Sequence, residues 1–305
     1  MSTPQPAAAD TAARPTPHPP TTWTVRRRSS VNEPGAGTAS GTAPGAAPIT
    51  VPGSEANSAS GTTNGHKSRQ VNRRYEFSWL ARNGDIFDVS RSAPALPRFE
   101  EAFSAFARGT MFQTRQGLRA VEDLLPGDMI ETFEGDFQPV LWLGSMLTGA
   151  PPPGPGAALT PDRPQGPDMF RLMAEAFGPG RPAGDLMLGP AARLLHRSDR
   201  LRQKLGLREA LVPVQARADG HSVIALQPLT VQRTWHLMLP AHRVIRANGV
   251  EVETYHPGSA SPERVGWELH AEFLALFPHL RAPGQFGALA CPRLSLTDMA
   301  ALLAA

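Results

Sequence analysis

The sequence predicts a mainly β protein, and three observations support that prediction. The apolar runs between residues 106 and 255 are short, and turn signals such as 126–128 (Pro-Gly-Asp) and 135–136 (Gly-Asp) separate them. Short apolar runs bounded by Gly, Pro, Asn and Asp are typical of strands. The Asn-Gly pair at 248–249, with apolar residues on both sides, predicts a tight hairpin.

Composition narrows the class of protein. The 305 residues include 32 Pro and 28 Gly but only 2 Tyr, which indicates a high loop content, and the net charge of +3 permits an acidic partner without requiring one. A single cysteine, Cys291, excludes an intramolecular disulfide and a cysteine-based zinc site. No apolar run approaches the ~20 residues of a membrane-spanning helix, and no N-terminal signal is recognisable. We expect a cytoplasmic protein without a cofactor, metal or membrane span, and leave signal-independent export open.

The first 72 residues predict a disordered tail. They are dominated by Ala, Pro, Ser, Thr and Gly, so they cannot bury enough apolar area to offset an ordering entropy of ~1–2 kcal/mol per residue. Residues 23–28 (Trp-Thr-Val-Arg-Arg-Arg) are the one patch with the character of a short linear motif. An ordinary solvated stretch is the favoured interpretation of that patch.

The other elements follow from apolar patterning. A short hairpin or two short strands are expected at 75–89, and a short helix before Ala105, where phenylalanines stand at 99, 103 and 106. Strands are predicted at 110–114, 118–121, 129–133, 138–144, 185–188, 211–214, 223–226, 229–231, 234–239, 244–246 and 250–255, and helices at 191–206, 267–277 and 298–304. We therefore divide the chain into a tail (1–72), an ordered lead-in (73–104), a β domain (105–258) and a short helical C-terminal appendix (259–305).

Basic residues recur along the predicted helix at 191–206 and continue to residue 208, forming a basic stripe. Its members recur every three or four residues, which would place them along one helix face: Arg193, Arg197, Arg200, Lys204 and Arg208. Such a stripe could bind the phosphates of nucleic acid or another acidic partner. The polar face of an ordinary amphipathic helix explains the same pattern, and we favour it because no base-stacking aromatic residues accompany the stripe.

Three phrases of the central region resemble the Hint domain, the Hedgehog/intein self-processing module. The first is 105–110 (Ala-Phe-Ala-Arg-Gly-Thr) followed by 122–128, and the second is 188–193 (Leu-Gly-Pro-Ala-Ala-Arg). The third runs from Trp235 to Gly258. Their order best matches the bacterial Hint-2-type branch of the family, and the resemblance implies a compact Hint-like β fold.

The resemblance also implies a self-processing reaction, and this chain lacks the catalytic side chains that the reaction requires. In the family, a first-residue cysteine thiol attacks the preceding carbonyl, and a histidine in the second phrase helps the amide nitrogen to leave. Ala105 stands at the cysteine position and Ala192 at the histidine position. A methyl group can neither attack a carbonyl nor donate a proton, so the resemblance implies a degenerate active site.

Three residues remain as candidates for residual catalysis: His236, His242 and Ser104. Ser104 carries a hydroxyl but lies one residue out of register. The histidines are explained more simply as hydrogen-bonded structural residues, and the spacing of His236, His242 and His256 matches no common metal motif. Cys291 is explained more simply as a small buried residue than as a displaced nucleophile.

The leading hypothesis is therefore a degenerate Hint domain that does not process itself and acts as an interaction module for an unidentified protein partner. Residual self-cleavage near Ser104 or Ala105, by an acyl shift from nitrogen to sulfur or oxygen, is the first alternative. Binding of nucleic acid or another acidic partner through residues 191–208 is the second. No phosphate-binding loop, Gly-x-Ser-x-Gly elbow or His-Glu-x-x-His helix is present in the sequence.

Overall fold

Short strands dominate the computed structural model, which describes residues 24–28, 71–149, 168–258 and 267–304. The strands form two sheets, so the predicted mainly β class is confirmed. No helix in these ranges is both long and apolar enough to cross a membrane.

The larger sheet contains nine strands. In chain order they are β1 (Thr24–Arg28), β2 (Asn72–Leu80), β3 (Ile86–Pro94), β4 (Phe106–Ala107), β9 (Trp142–Thr148), β10 (Met169–Leu172), β11 (Leu186–Leu188), β14 (Val223–Leu226) and β15 (Gln232–Met238). Their spatial order is β1-β3-β2-β9-β15-β4-β11-β10-β14. Since β4 lies between β15 and β11, the residues around Ala105 sit in the middle of this sheet.

The smaller sheet contains the other strands. They are β5 (Met111–Thr114), β6 (Gly117–Ala120), β7 (Met129–Glu131), β8 (Phe137–Pro139), β12 (Arg193–His196), β13 (Ala210–Pro213), β16 (Val244–Ala247) and β17 (Val250–Glu253). The predicted Asn-Gly hairpin is confirmed, because β16 and β17 pair antiparallel around the turn at Asn248 and Gly249. Both turn residues have positive φ (49° and 86°), as a tight hairpin requires.

The two sheets share one main apolar core. Phe106, Leu188 and Trp235 from the larger sheet pack in the same buried cluster as Phe112 and Ile245 from the smaller sheet. Alternation along the strands produces this arrangement: in β5, residues 112 and 114 are buried while their neighbours are partly exposed. Ala105 and Ala192 also belong to this core cluster.

A second apolar cluster joins the chain before residue 105 to the chain after residue 258. The predicted lead-in hairpin is confirmed, since β2 pairs with β3, and β2 also pairs with β9. Four short helices complete the described fold: α1 (Pro97–Glu100), α2 (Asp199–Leu205), α3 (Trp267–Leu274) and α4 (Leu296–Leu303). Phe99 of α1 packs edge-on against Phe273 of α3, and the indole of Trp142 donates a hydrogen bond of 2.8 Å to the Leu276 carbonyl. The lead-in and the C-terminal segment are therefore built into the same packed structure as the central strands.

The prediction of one helix over 191–206 is wrong. Residues 193–196 form strand β12, which pairs with β13 and β17, and only α2 is helical. Strand pairing on both sides outweighs the local helical pattern at Leu194 and Leu195. The helix starts after Ser198, whose hydroxyl accepts from the Leu201 amide, and ends at Gly206 in the left-handed region.

Two smaller predictions also differ from the structure. Residues 229–231 form no strand, and Leu229 is 85% exposed, because the paired segment starts at Gln232. Phe106 lies in β4 rather than in a helix, since the chain turns extended after α1. Within the predicted tail, the backbone of Thr24–Arg28 pairs antiparallel with β3, while residues 1–23 and 29–70 lie outside the described residues.

Candidate functional site

The peptide between Ser104 and Ala105 is the centre of the candidate site. The Ala105 amide donates to the Trp235 carbonyl at 3.0 Å, and the Ser104 carbonyl accepts from the Ala191 amide at 3.1 Å. The Ala105 carbonyl accepts from the Gly189 amide at 2.8 Å. The turn between β11 and β12 therefore holds this peptide through backbone hydrogen bonds, and the Ala191 N–H lies where a donor to an oxyanion would be needed.

Gly189 allows this close approach. A Cβ at position 189 would lie 2.1 Å from the Ser104 carbonyl oxygen and 2.7 Å from its carbon. Both neighbours are backbone atoms in the buried centre of the fold, so they cannot move aside as a flexible side chain could. Position 189 thus requires glycine because of contact with the Ser104–Ala105 peptide.

We expect Gly189→Ala to lower the free energy of unfolding by about 3 kcal/mol, at the upper end of the usual cost of overpacking. Chemical denaturation followed by circular dichroism measures this change. Gly184→Ala is the matched control, because a Cβ there meets no atom within 4 Å and no positive φ is involved. Equal stability of the two variants would contradict the tight packing of the turn on the peptide.

The two positions at which the sequence resemblance implies a nucleophile and an assisting histidine hold buried methyl groups. Ala105 is 1% exposed and Ala192 is 2% exposed. The Ser104 hydroxyl is buried and donates to the Glu100 carbonyl at 2.8 Å, so it is engaged upstream in the chain. No thiol or free hydroxyl of the described residues is placed at this peptide by these contacts.

The candidate histidines His236 and His242, and also His256, each use the Nδ1 atom to accept a backbone hydrogen bond. The donors are the amides of Leu237 for His236, Ala290 for His242 and Gly258 for His256, at 2.9–3.1 Å. In the neutral ring this arrangement puts the proton on Nε2. Burial, followed by the charge of Arg293, holds the pKa of His236 well below its usual value, so that ring is neutral at pH 7.

Glu253 is the carboxylate that the basic groups of the site surround. Its side chain is 3% exposed and lies 3.0 Å from Arg293 Nε and 3.5 Å from Arg193 Nε. His242 Nε2 is 3.3 Å from Glu253 Oε2, within ion-pair range but without hydrogen-bond geometry. Arg293 also donates to the His256 carbonyl, which ties the C-terminal segment to β17 and the residues after it.

A small cavity of about 60 Å³ lies beside these groups. Its walls are Glu101, Pro190, Ala191, Arg193, Pro213, His236, Glu253, Tyr255, His256 and Arg293. The structure thus brings His236 and Arg193 of the sequence-based candidates to one place. Sequence patterns did not point to Arg293 or Glu101, because both lie outside residues 105–258, the region that resembles the Hint domain. Glu253 lies inside the third of the resembling phrases, which was the one available signal.

Cys291 does not supply a reactive thiol. It is 8% exposed, and its Sγ lies 3.4 Å from Glu209 Oε1, to which it can donate. Burial, together with the Glu209 carboxylate, raises the pKa of this thiol to about 11. The thiolate, which is the nucleophilic form, is therefore scarce at pH 7.

The residues of the predicted basic stripe have different surroundings. Arg193 pairs with Glu253, Arg197 with Glu209 and Glu251, and Arg200 and Lys204 donate to carbonyls at the C-terminus of α4. Arg208 is exposed. Because β12 and α2 are separate elements, these side chains do not share one helix face, and the geometric basis of the phosphate-stripe interpretation is absent from this segment.

The match to a family profile confirms the predicted Hint-like fold. The profile of the Hint domain family (Hint_2) matches residues 104–259, a little over half of the 305 residues, so this chain belongs to the Hint domain family. Among solved structures it is similar to the AceL NrdHF class 3 split intein, in a GSH-linked, splice-inactive variant. That similarity covers 50% of this chain and 97% of the intein chain, at 10% identity and a TM-score of 0.31. No curated protein matches the chain.

Proposed function

We propose that this protein is a degenerate Hint domain that does not process its own chain and acts as an interaction module. The observation that carries the proposal is the state of the Ser104–Ala105 peptide. Its N–H and C=O groups are both hydrogen-bonded inside the fold, and methyl groups stand at both chemical positions, Ala105 and Ala192. The peptide is held as a substrate would be held, without a group to attack it.

The packing of the upstream chain also supports the proposal. Strand β2 pairs with β9 from Tyr75 to Trp79, and Phe99 and Phe103 lie in a fully buried cluster with Trp142. Cleavage after Ser104 would therefore leave the lead-in bound within the larger sheet. Such a reaction would not release the N-terminal fragment from the fold.

Self-cleavage by Ser104 has less support. Its hydroxyl donates to the Glu100 carbonyl, and an acyl shift to Ser104, in which this hydroxyl attacks the preceding Phe103 carbonyl carbon, would first require that hydrogen bond to break. His236 is neutral and fully buried, and His242 is held between the Ala290 amide and Glu253. These contacts fit structural roles for both histidines.

We expect the freshly purified full-length chain to keep a single unchanged intact mass during incubation with dithiothreitol. The reason is that no thioester can form without a thiol at position 105, so the added thiol has nothing to cleave. Intact-mass spectrometry before and after incubation checks this. A fragment beginning at or near Ala105 would overturn the non-processing part of the proposal.

The interaction part is tested separately with the same full-length chain. We expect affinity capture to retain one protein reproducibly, and the purified pair to bind with a measurable Kd. A chain that is folded, intact in mass and without any reconstitutable partner would contradict the interaction role while leaving the loss of processing in place.

A further inference from the structure

A second pocket lies away from the Ser104–Ala105 peptide. It has a volume of about 450 Å³, which is within the size range of small-molecule sites, and it lies between the loop 173–185, strands β12 and β17, and the 3-10 turn Val214–Arg217. We call it the arginine pocket because three guanidinium groups line it: Arg181, Arg197 and Arg217.

Glu251 neutralises only part of this positive charge. Its buried carboxylate lies 2.6 Å from Arg181 Nη2 through one oxygen and 3.5 Å from Arg197 Nη1 through the other. Arg197 also pairs with Glu209 at 3.2 Å. Two of the three arginines are therefore matched by carboxylates.

Arg217 has no such match. Among the described residues its contacts are the His196 ring nitrogen Nδ1, at 3.2 Å from Arg217 Nη1, and the face of Phe177, 5.3 Å from the guanidinium carbon. Since Arg217 can only donate, His196 Nδ1 accepts and the ring proton lies on Nε2, which is 3.1 Å from the Ser198 hydroxyl. Burial and the Arg217 charge both lower the pKa of His196, so the ring stays neutral and brings no compensating charge.

Arg181 adds a second donor without an acceptor. Its Nε atom is buried and has no hydrogen-bond partner in the described structure, although its Nη2 binds Glu251. Because this Nε atom is buried, a ligand in the pocket would contact other atoms of the Arg181 side chain, which is 44% exposed. The arginine pocket thus contains one guanidinium, that of Arg217, without a matching carboxylate among the described residues.

The loop that carries Arg181 is held in place. The Ala183 amide donates to the Asn248 carbonyl at 3.0 Å, and a Cβ on Gly249 would lie 2.5 Å from the Gly180 carbonyl oxygen. The loop therefore docks tightly on the β16–β17 turn, and its arginine is positioned before any ligand arrives.

We propose that the arginine pocket binds the phosphate group of a small phosphate ester. A phosphate dianion offers three terminal oxygens that can accept from guanidinium groups approaching from different sides, and Arg217 has no carboxylate of its own among the described residues. Phe177 and Leu195 provide an apolar wall for the organic part of the ester. This site is independent of the Hint chemistry, so its test does not depend on the proposed function.

Phenyl phosphate is the probe, titrated into the full-length chain by calorimetry at fixed ionic strength. We expect saturable binding that Arg217→Gln weakens by at least about tenfold, the effect of losing a hydrogen bond to a charged group. Arg217→Lys keeps the charge but loses the forked pair of guanidinium donors, so its affinity should lie between those of the wild-type chain and Arg217→Gln. Arg202→Gln is the matched control, because Arg202 is exposed on α2 and, among the described residues, forms its ion pair with Asp199; it should bind like wild type.

Three results would overturn the proposal. They are no binding of phenyl phosphate to a folded wild-type chain, equal weakening by Arg217→Gln and Arg202→Gln, and binding of succinate as tight as that of phenyl phosphate. Circular dichroism of each variant shows that the chain is folded. If Arg217→Gln does not fold, the Arg217→Lys comparison decides the question with the same control.

Discussion

An Ala105→Cys, Ala192→His double variant is expected to cleave its own chain after Ser104 when dithiothreitol is added. The introduced thiolate would attack the Ser104 carbonyl carbon while the Ala191 N–H stabilises the oxyanion, 3.1 Å away in the resting peptide. The carbon–nitrogen bond then breaks, and the introduced imidazolium protonates the departing nitrogen. Dithiothreitol next displaces the thiol from the thioester and frees residues 1–104 as an acyl product.

The single variants give the size of each contribution. Ala105→Cys alone should cleave about 10²–10⁴-fold more slowly than the double variant, because general acid catalysis accounts for that range. Ala192→His alone should stay intact. Ala107→Cys with Ala192→His is the matched control, since it places the thiol two residues further along β4, away from the Ser104 carbonyl.

Intact-mass spectrometry under denaturing conditions measures the fragments, and native size exclusion shows whether they separate. We expect the fragments to elute together without denaturant, because β2 and β3 remain paired in the larger sheet. A double variant that is folded like wild type but stays intact with added thiol would mean that the fold no longer presents the peptide for attack. Ala105→Cys alone disturbs the core less than the double variant, since it adds only a sulfur atom, and it tests the same attack on the Ser104 carbonyl.

Glu253→Ala is expected to lower the free energy of unfolding by about 3 kcal/mol. Removal of this carboxylate leaves Arg193 and Arg293 without their shared partner inside the fold, and an unpaired buried charge is strongly destabilising. The value lies at the low end of the usual range because the two arginine side chains keep 27% and 16% of their exposure, and water can reach them in part. Denaturant unfolding measures the change.

The matched control for this prediction is Glu134→Ala. Glu134 is exposed, so its removal should alter stability by less than about 0.5 kcal/mol. Glu253→Gln keeps the shape and hydrogen-bonding oxygen but removes the charge, and should fall between the two. If Glu253→Ala is as stable as Glu134→Ala, the buried ion pairs do not support the join between β17 and the C-terminal segment.

Local sequence signals predicted many of the strands and turns of the fold. Asn248-Gly249 predicted the β16–β17 hairpin because that pair readily adopts positive φ. The same signals misjudged 193–196, where the leucines fit a helix as well as a strand. Only the pairing partners at 210–213 and 252 distinguish the two states, and these lie outside the local segment.

The sequence by itself determined the family likeness and the absence of a thiol at position 105 and of an imidazole at position 192, because residue identity alone decides both. Tertiary structure decided what surrounds those positions. Glu253 meets Arg293 across 40 residues, and Gly189 meets Ser104 across 85, so no local pattern could reveal either contact. Long-range packing brings these groups together, and for that reason the ion-paired site and the arginine pocket emerged only from the folded chain.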